Sequence, residues 1–135
     1  MRTDLITDDS KTSQMLVKTT LSRLPGVDFL FADNGKEALV VLEKRHVDLL
    51  ITDINMPEMD GIALVRAVRE TKDAKTLPIL IITAKGEEAA REEGLALGAN
   101  AYVLKPLSTR DLADHASRLL GTGVSPTAVV STPAP

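Results

Sequence analysis

A chain of 135 residues, 44% apolar and 26% charged, is long enough for one domain with a proper core. Its net charge of −3 argues against sequence-independent nucleic-acid binding, and the absence of cysteine excludes disulfides and thiolate metal sites and fits a reducing, cytoplasmic compartment. No apolar run approaches the ~20 residues needed to span a bilayer, and the start, Met1-Arg2-Thr3-Asp4, lacks the apolar stretch of a signal peptide.

In chain order, residues 4–7 form a short and weak strand candidate, and Ser10 after Asp8-Asp9 is placed to cap a helix. Over residues 11–24, Val17, Leu21 and Leu24 recur at helical spacing, with Met15 and Leu16 nearby, until Pro25-Gly26 stops the pattern. Residues 27–32 carry Val and Phe and predict a strand. Asn34 with Glu37 three residues later resembles a capping box, and Ala38, Leu39 and Leu42 continue as a helical stripe to about Arg45. Residues 47–52 read as a buried strand, and Asp60-Gly61 opens a helix with Leu64, Val65 and Val68 on one side. Ile79 to Ile82 is a continuous β-branched and aliphatic run. Residues 87–97 are helical by composition, with Gly98 where a terminating glycine belongs. Residues 101–104 give a last strand, Pro106 breaks it, and Ser108 with Asp111 starts a final helix bearing Leu112, Ala116 and Leu119.

Five strands alternating with five helices predict an α/β fold, a parallel sheet covered on both faces by way of right-handed crossovers. The third and fourth strands are nearly all apolar, as central strands should be. With Phe29, Phe31 and Tyr102 its only aromatics, the core is expected to be aliphatic. Residues 1–121 are expected to form the domain, and 122–135, small and Pro-rich, a flexible tail or linker.

In such a sheet, ligands bind beyond the carboxyl ends of the strands. Those ends carry Asp8-Asp9, Asp53, Thr83-Ala84 and Lys105-Pro106. Each has an ordinary explanation alone: acids cap helices, an Asp starts a turn, a Lys before Pro enters a loop. Together they converge three acids, one hydroxyl and one ammonium on a single edge. Three clustered carboxylates repel one another, and oxygen-only ligands favour Mg²⁺ or Mn²⁺. A carboxylate beside that metal can attack phosphorus, while Lys105 and Thr83 stabilise the oxygens of the transferring group.

These segments, Asp8-Asp9-Ser10, "LLITDINMPEMDG", "PILIITAKG" and "GANAYVLKPL", resemble the receiver domain of two-component response regulators. The likeness covers residues 4 to about 120. It implies the flavodoxin-like (CheY-like) sheet order 2-1-3-4-5. It also implies that Asp53 accepts a phosphoryl group from a sensor histidine kinase or histidine phosphotransfer protein. Asp9 and Asp53 would bind Mg²⁺ with the backbone carbonyl of Asn55, Asp8 assisting. Lys105 would pair with a phosphoryl oxygen, its bond to Pro106 being cis in the family. Thr83 would shift to the phosphoryl group, Tyr102 would then turn inward, and Ala84 would leave room.

The output surface implied is the fourth helix, fifth strand and fifth helix, about residues 86–120, with Glu87, Glu88, Arg91, Glu92 and Arg110 on or near it. It would dock a downstream target protein, the receiver itself being a monomer or weak dimer without direct nucleic-acid binding or membrane insertion. Asn55 is expected to permit hydrolysis of the acyl phosphate and Lys85 to modify its rate. Thr7 stands where the family usually has an aliphatic residue or Ala, which should weaken packing of the first strand. His46 and His115 receive no role. The chain is expected to act as a stand-alone receiver, although the tail also resembles the start of a linker in a longer regulator.

Two alternatives fit part of the pattern. A phosphohydrolase of the haloacid dehalogenase type also uses a strand-end Asp, a Thr, a Lys and Mg²⁺, but needs a second Asp where Asn55 stands. A degenerate receiver acting as a pure interaction module would lack one of Asp9, Asp53, Thr83 or Lys105, and all four are present.

Overall fold

A computed structural model describes residues 2–22, 26–71, 76–84, 86–105, 112 and 114–116. Five strands form one parallel sheet: β1 (Arg2–Thr7), β2 (Val27–Ala32), β3 (Leu49–Asp53), β4 (Ile79–Thr83) and β5 (Ala101–Leu104). Their spatial order is β2-β1-β3-β4-β5. The connecting helices are α1 (Lys11–Leu21), α2 (Gly35–Lys44), α3 (Gly61–Glu70) and α4 (Glu88–Leu97), and residues 112 and 114–116 are helical as well. Leu24, Pro25, Lys85, Pro106, Ser108, Arg110, Asp111, Leu119, Gly121 and the 122–135 tail lie outside the described residues.

Alternation along the strands sorts the core into two layers. Leu49, Ile51, Leu80, Ile82, Ala101 and Val103 face Val17 and Leu21 of α1, together with Leu112 and Ala116. Leu5, Leu50, Ile79, Ile81 and Tyr102 face Ala38 of α2 and Ile62, Leu64, Val65 and Val68 of α3. All five residues of β3 and of β4 are buried, because helices cover both faces of the sheet. Each fully buried Leu or Ile contributes about 1.5–3 kcal/mol relative to exposure. Met15 and Leu16, which flank the α1 stripe, are about half exposed instead.

β1 begins two residues earlier than its sequence suggests. Arg2 donates through Nε and Nη2 to the two carboxylate oxygens of Asp4 at 2.9 and 2.8 Å. Asp4 is fully buried, and burial holds its carboxyl above the ordinary range although Arg2 pulls it down. That internal pair lets a polar residue sit mid-strand while β1 pairs with both β2 and β3. β3 begins at Leu49 and not at Val47, because Asp48 is engaged elsewhere. Its N–H donates to Thr3 O at 2.8 Å, and its Oδ2 accepts from Thr3 N–H at 2.8 Å. This clamp pins the register of β1 against β3.

Helix caps are built as the sequence predicts. Ser10 Oγ accepts from Ser13 N–H and Asn34 Oδ1 from Glu37 N–H. The returning Glu37 carboxylate takes Asp33 N–H, one residue short of a reciprocal box. Asp60 Oδ1 accepts from Ala63 N–H at the start of α3. Gly98 ends α4 with φ +124°, in the left-handed region that favours glycine. None of the described helices is long and apolar enough to cross a membrane.

Candidate functional site

The chain reverses its winding direction between β1 and β3, and the crevice there opens at the carboxyl ends of both strands. Asp8 follows β1 and Asp53 ends β3, so parallel pairing from Asp4–Leu49 to Thr7–Thr52 brings their carboxylates together. One carboxylate oxygen from each of Asp8, Asp9 and Asp53 lies within 4.8 Å of the others. Asp8 and Asp53 are buried, and Asp9 is exposed.

Asp8 is held from several directions. Its N–H donates to Ala32 O at 3.1 Å, and its Oδ1 accepts from Ser10 N–H at 2.9 Å. Its carbonyl accepts from Gln14 Nε2 at 2.7 Å, and the same amide reaches Asp33 Oδ1 at 2.9 Å. Gln14 is buried on α1 and was missed by sequence reasoning, which followed only the apolar positions of that helix. Its sole signal is its place three residues before Val17, which puts a Gln on the buried face of the helix.

Asp53 Oδ1 accepts from Ile54 N–H at 2.9 Å and faces Lys105 Nζ at 3.3 Å. Burial raises the carboxyl of Asp53 above its ordinary range, with Lys105 opposing. Burial raises Asp8 too, the Ser10 N–H opposes it, and the negative charge of Asp53 adds to the rise. Both shifts report carboxylates that lose water, with a neighbouring acid adding to each: Asp53 for Asp8 and Glu87 for Asp53.

Thr83 ends β4, fully buried, and its Oγ1 donates to Glu87 Oε1 at 3.2 Å. Ala84 N–H donates to the same oxygen at 2.6 Å. Asn55, exposed beyond Asp53, donates through Nδ2 to Glu87 Oε2. Glu87, expected on the partner surface, thus belongs to the site. It stands at the α4 N-cap position without a side-chain cap bond, because its carboxylate turns back over the end of β4. A run of acids opening a helix looks like a solvated face, so no sequence signal separated Glu87 from Glu88.

Tyr102 is buried on β5, and the Arg91 guanidinium lies 4.5 Å from its ring centroid. The ring is therefore already inside while Thr83 bonds Glu87. The reason is local: Arg91 and the apolar layer of α3 and α4 stabilise the buried aromatic. Glu88 and Glu92 are exposed on α4. His46 pairs with Asp48 Oδ1 at 2.8 Å.

A sheet of this order, with three acids at its switch point and a hydroxyl and an ammonium on the neighbouring strand ends, defines a phosphoryl-accepting switch domain. The family model described as response regulator receiver domain matches residues 5–117, and the chain belongs to that family. It is 42% identical over 120 residues to a chemotaxis protein CheY homolog of Campylobacter jejuni, covering 88% of this chain and 92% of that protein. It is 41% identical over 119 residues to the chemotaxis protein CheY1 of Helicobacter pylori, covering 87% and 96%. The structure of the chemotaxis response regulator CheY4 of Vibrio cholerae superposes with a TM-score of 0.81 at 35% identity, covering 89% of this chain and 99% of that one.

The chain is therefore a response regulator receiver, a signalling switch and not a metabolic enzyme. Neither the phosphohydrolase nor the degenerate module is favoured. Receiver domains bind Mg²⁺ at an acidic cluster of this kind. The donors here fit such an ion: oxygen ligands alone, two of them desolvated carboxylates held close together.

Proposed function

We propose that Asp53 is the phosphoacceptor. The supporting observation is its buried carboxylate, 3.3 Å from Lys105 Nζ and within the group formed with Asp8 and Asp9. A carboxylate oxygen of Asp53 attacks the phosphorus of a phosphohistidine on a sensor kinase or phosphotransfer protein. The O–P bond forms as the P–N bond breaks, and the imidazole nitrogen keeps the electron pair and takes up a proton. Lys105 neutralises charge on the equatorial oxygens, and the Thr83 hydroxyl and Ala84 N–H donate to them.

Asp8, Asp9, Asp53 and the Asn55 carbonyl would hold Mg²⁺ or Mn²⁺, which supplies positive charge against the phosphoryl oxygens. Ala84 offers only a methyl group beside them. Asn55 admits the water that later hydrolyses the acyl phosphate, and Lys85 adjusts that rate. The chain thereby catalyses only its own phosphorylation and dephosphorylation, in the cytoplasm.

Phosphorylation puts about −2 of charge where the Asp53 carboxylate carried −1, and adds three acceptor oxygens. New bonds from Thr83 and Lys105 favour one of two packings of α4, β5 and the helix bearing Leu112, with Tyr102 and Arg91 between them. A downstream protein reads that surface, and the receiver works as a monomer or weak dimer. Acetyl phosphate with Mg²⁺ should give one base-labile phosphate adduct by intact mass, absent from Asp53→Ala. An adduct persisting in that variant would relocate the acceptor.

A further inference from the structure

We propose that Glu87 is a resident competitor for the phosphoryl site, a carboxylate that must leave before the phosphoryl group can seat. The proposal rests on Asp53 being the acceptor. Glu87 Oε1 takes the Thr83 hydroxyl at 3.2 Å and the Ala84 N–H at 2.6 Å, the two donors assigned above to the incoming oxygens. Glu87 Oε2 takes the Asn55 amide, on the loop that follows Asp53. One carboxylate thus bridges the ends of β3 and β4 and satisfies donors that a phosphoryl group would use.

Charge sharpens the competition. An incoming phosphoryl group is anionic, and Glu87 lies near enough to Asp53 to disfavour its charged form. Both anions cannot occupy one set of donors in a partly desolvated pocket. Phosphoryl entry therefore requires the Glu87 side chain to swing out. The local structure permits this. Glu87 is only half-buried and caps no helical N–H. Its own N–H closes a turn onto Ala84 O at 3.1 Å, and Gly86 within that turn has φ +95°. Release would free Asn55 and the first turn of α4 at one stroke. Glu87 then links the chemistry at Asp53 to the helix on the output face, a role that charge alone at Asp53 does not supply.

If the closed arrangement is populated about nine times in ten, removing it raises apparent uptake about tenfold. The test compares wild type, Glu87→Gln and Glu87→Ala. Phosphate uptake from acetyl phosphate and Mg²⁺ is followed by intact mass, and beryllofluoride affinity is measured by titration. In uptake, the Asp53–phosphorus bond forms as the acetate P–O bond breaks.

Glu87→Ala should accelerate uptake and tighten beryllofluoride about tenfold. Glu87→Gln should fall between, since it keeps an acceptor for Ala84 N–H but loses the charge. Damage to the fold would slow uptake, so acceleration separates a gate from a structural role, and far-UV circular dichroism checks that each variant is folded. Equal or slower uptake in folded variants, with an Asp53 adduct still forming in wild type, overturns the Glu87 proposal and leaves the acceptor standing. No adduct in any of the three proteins overturns the acceptor assignment and this proposal with it.

Discussion

Gly61 opens α3, and a Cβ placed there would meet Asp53 O at 2.1 Å and Ile54 Cα at 2.9 Å. Gly→Ala near a helix start ordinarily stabilises by about 0.4–1 kcal/mol, since the unfolded chain loses freedom. Here the sign should reverse. The obstacle is backbone, so it cannot rotate aside as a side chain could. Reaching an ordinary contact of 3.4 Å moves the two segments apart by about 1.3 Å and breaks the 2.8 Å bond from Gly61 N–H to Ile54 O. Overpacking costs about 1–3 kcal/mol and the lost bond about 1 more. A net loss of roughly 2–3 kcal/mol should lower the melting temperature by about 10 °C. The displaced carbonyl belongs to Asp53, the proposed acceptor, and a misplacement of about 1 Å can cost about 100-fold in rate. Gly61→Ala is assayed by thermal circular dichroism and by phosphate uptake from acetyl phosphate well below its melting point. A variant that melts at or above the wild type and takes up phosphate equally fast would refute the steric argument.

Thr7 Oγ1 is buried on β1 and finds no hydrogen-bond partner among the described residues, so Thr7→Val should raise stability by about 1 kcal/mol in urea unfolding. A loss of stability would show that the hydroxyl is satisfied. Asp48→Ala should cost about 1 kcal/mol by removing an acceptor from Thr3 N–H. The Thr3 N–H, with His46 adding to it, holds Asp48 below its ordinary 3.8, so the folded chain binds that proton less readily than the unfolded chain. The contribution is therefore complete above pH 3.8 and disappears as pH falls through the lowered folded value. Urea midpoints of wild type and variant should converge in that acid range, and a constant gap would contradict the assignment.

The meeting of Asp8, Asp9, Asp53, Thr83 and Lys105 was legible because it follows from strand ends in a parallel sheet, while the strand order came from the family resemblance. Apolar runs such as Leu49–Thr52 and Ile79–Ile82 mark central strands, and whatever ends them is delivered to one edge. Less legible were features set by pairs of polar groups. The early start of β1 is one, since only the contact with Arg2 explains a carboxylate in mid-strand at Asp4. Val47 looked like strand, but Asp48 spends its N–H and carboxylate on Thr3 and delays the ladder. Gln14 and Glu87 both reach back several residues to backbone groups at strand ends. Periodicity reports which face of a helix is apolar and says nothing about such returns.

Those returning contacts explain how the site keeps charges that oppose folding. Asp8 and Asp53 are both raised by burial, so between the ordinary 3.8 and their raised folded values stability falls as pH rises. Carboxylates in this position would relax apart if their backbones could move. Asp8 cannot, with its N–H on Ala32 O, its carbonyl on Gln14 and its Oδ1 on Ser10 N–H. Asp53 cannot, because it is paired with Ile82 of β4 and Gly61 abuts its carbonyl. The repulsion is thus retained by the rigid frame, and a bound cation would relieve it. A site on looser loops would disperse the same acids into water, and the pull on a cation would be lost with them.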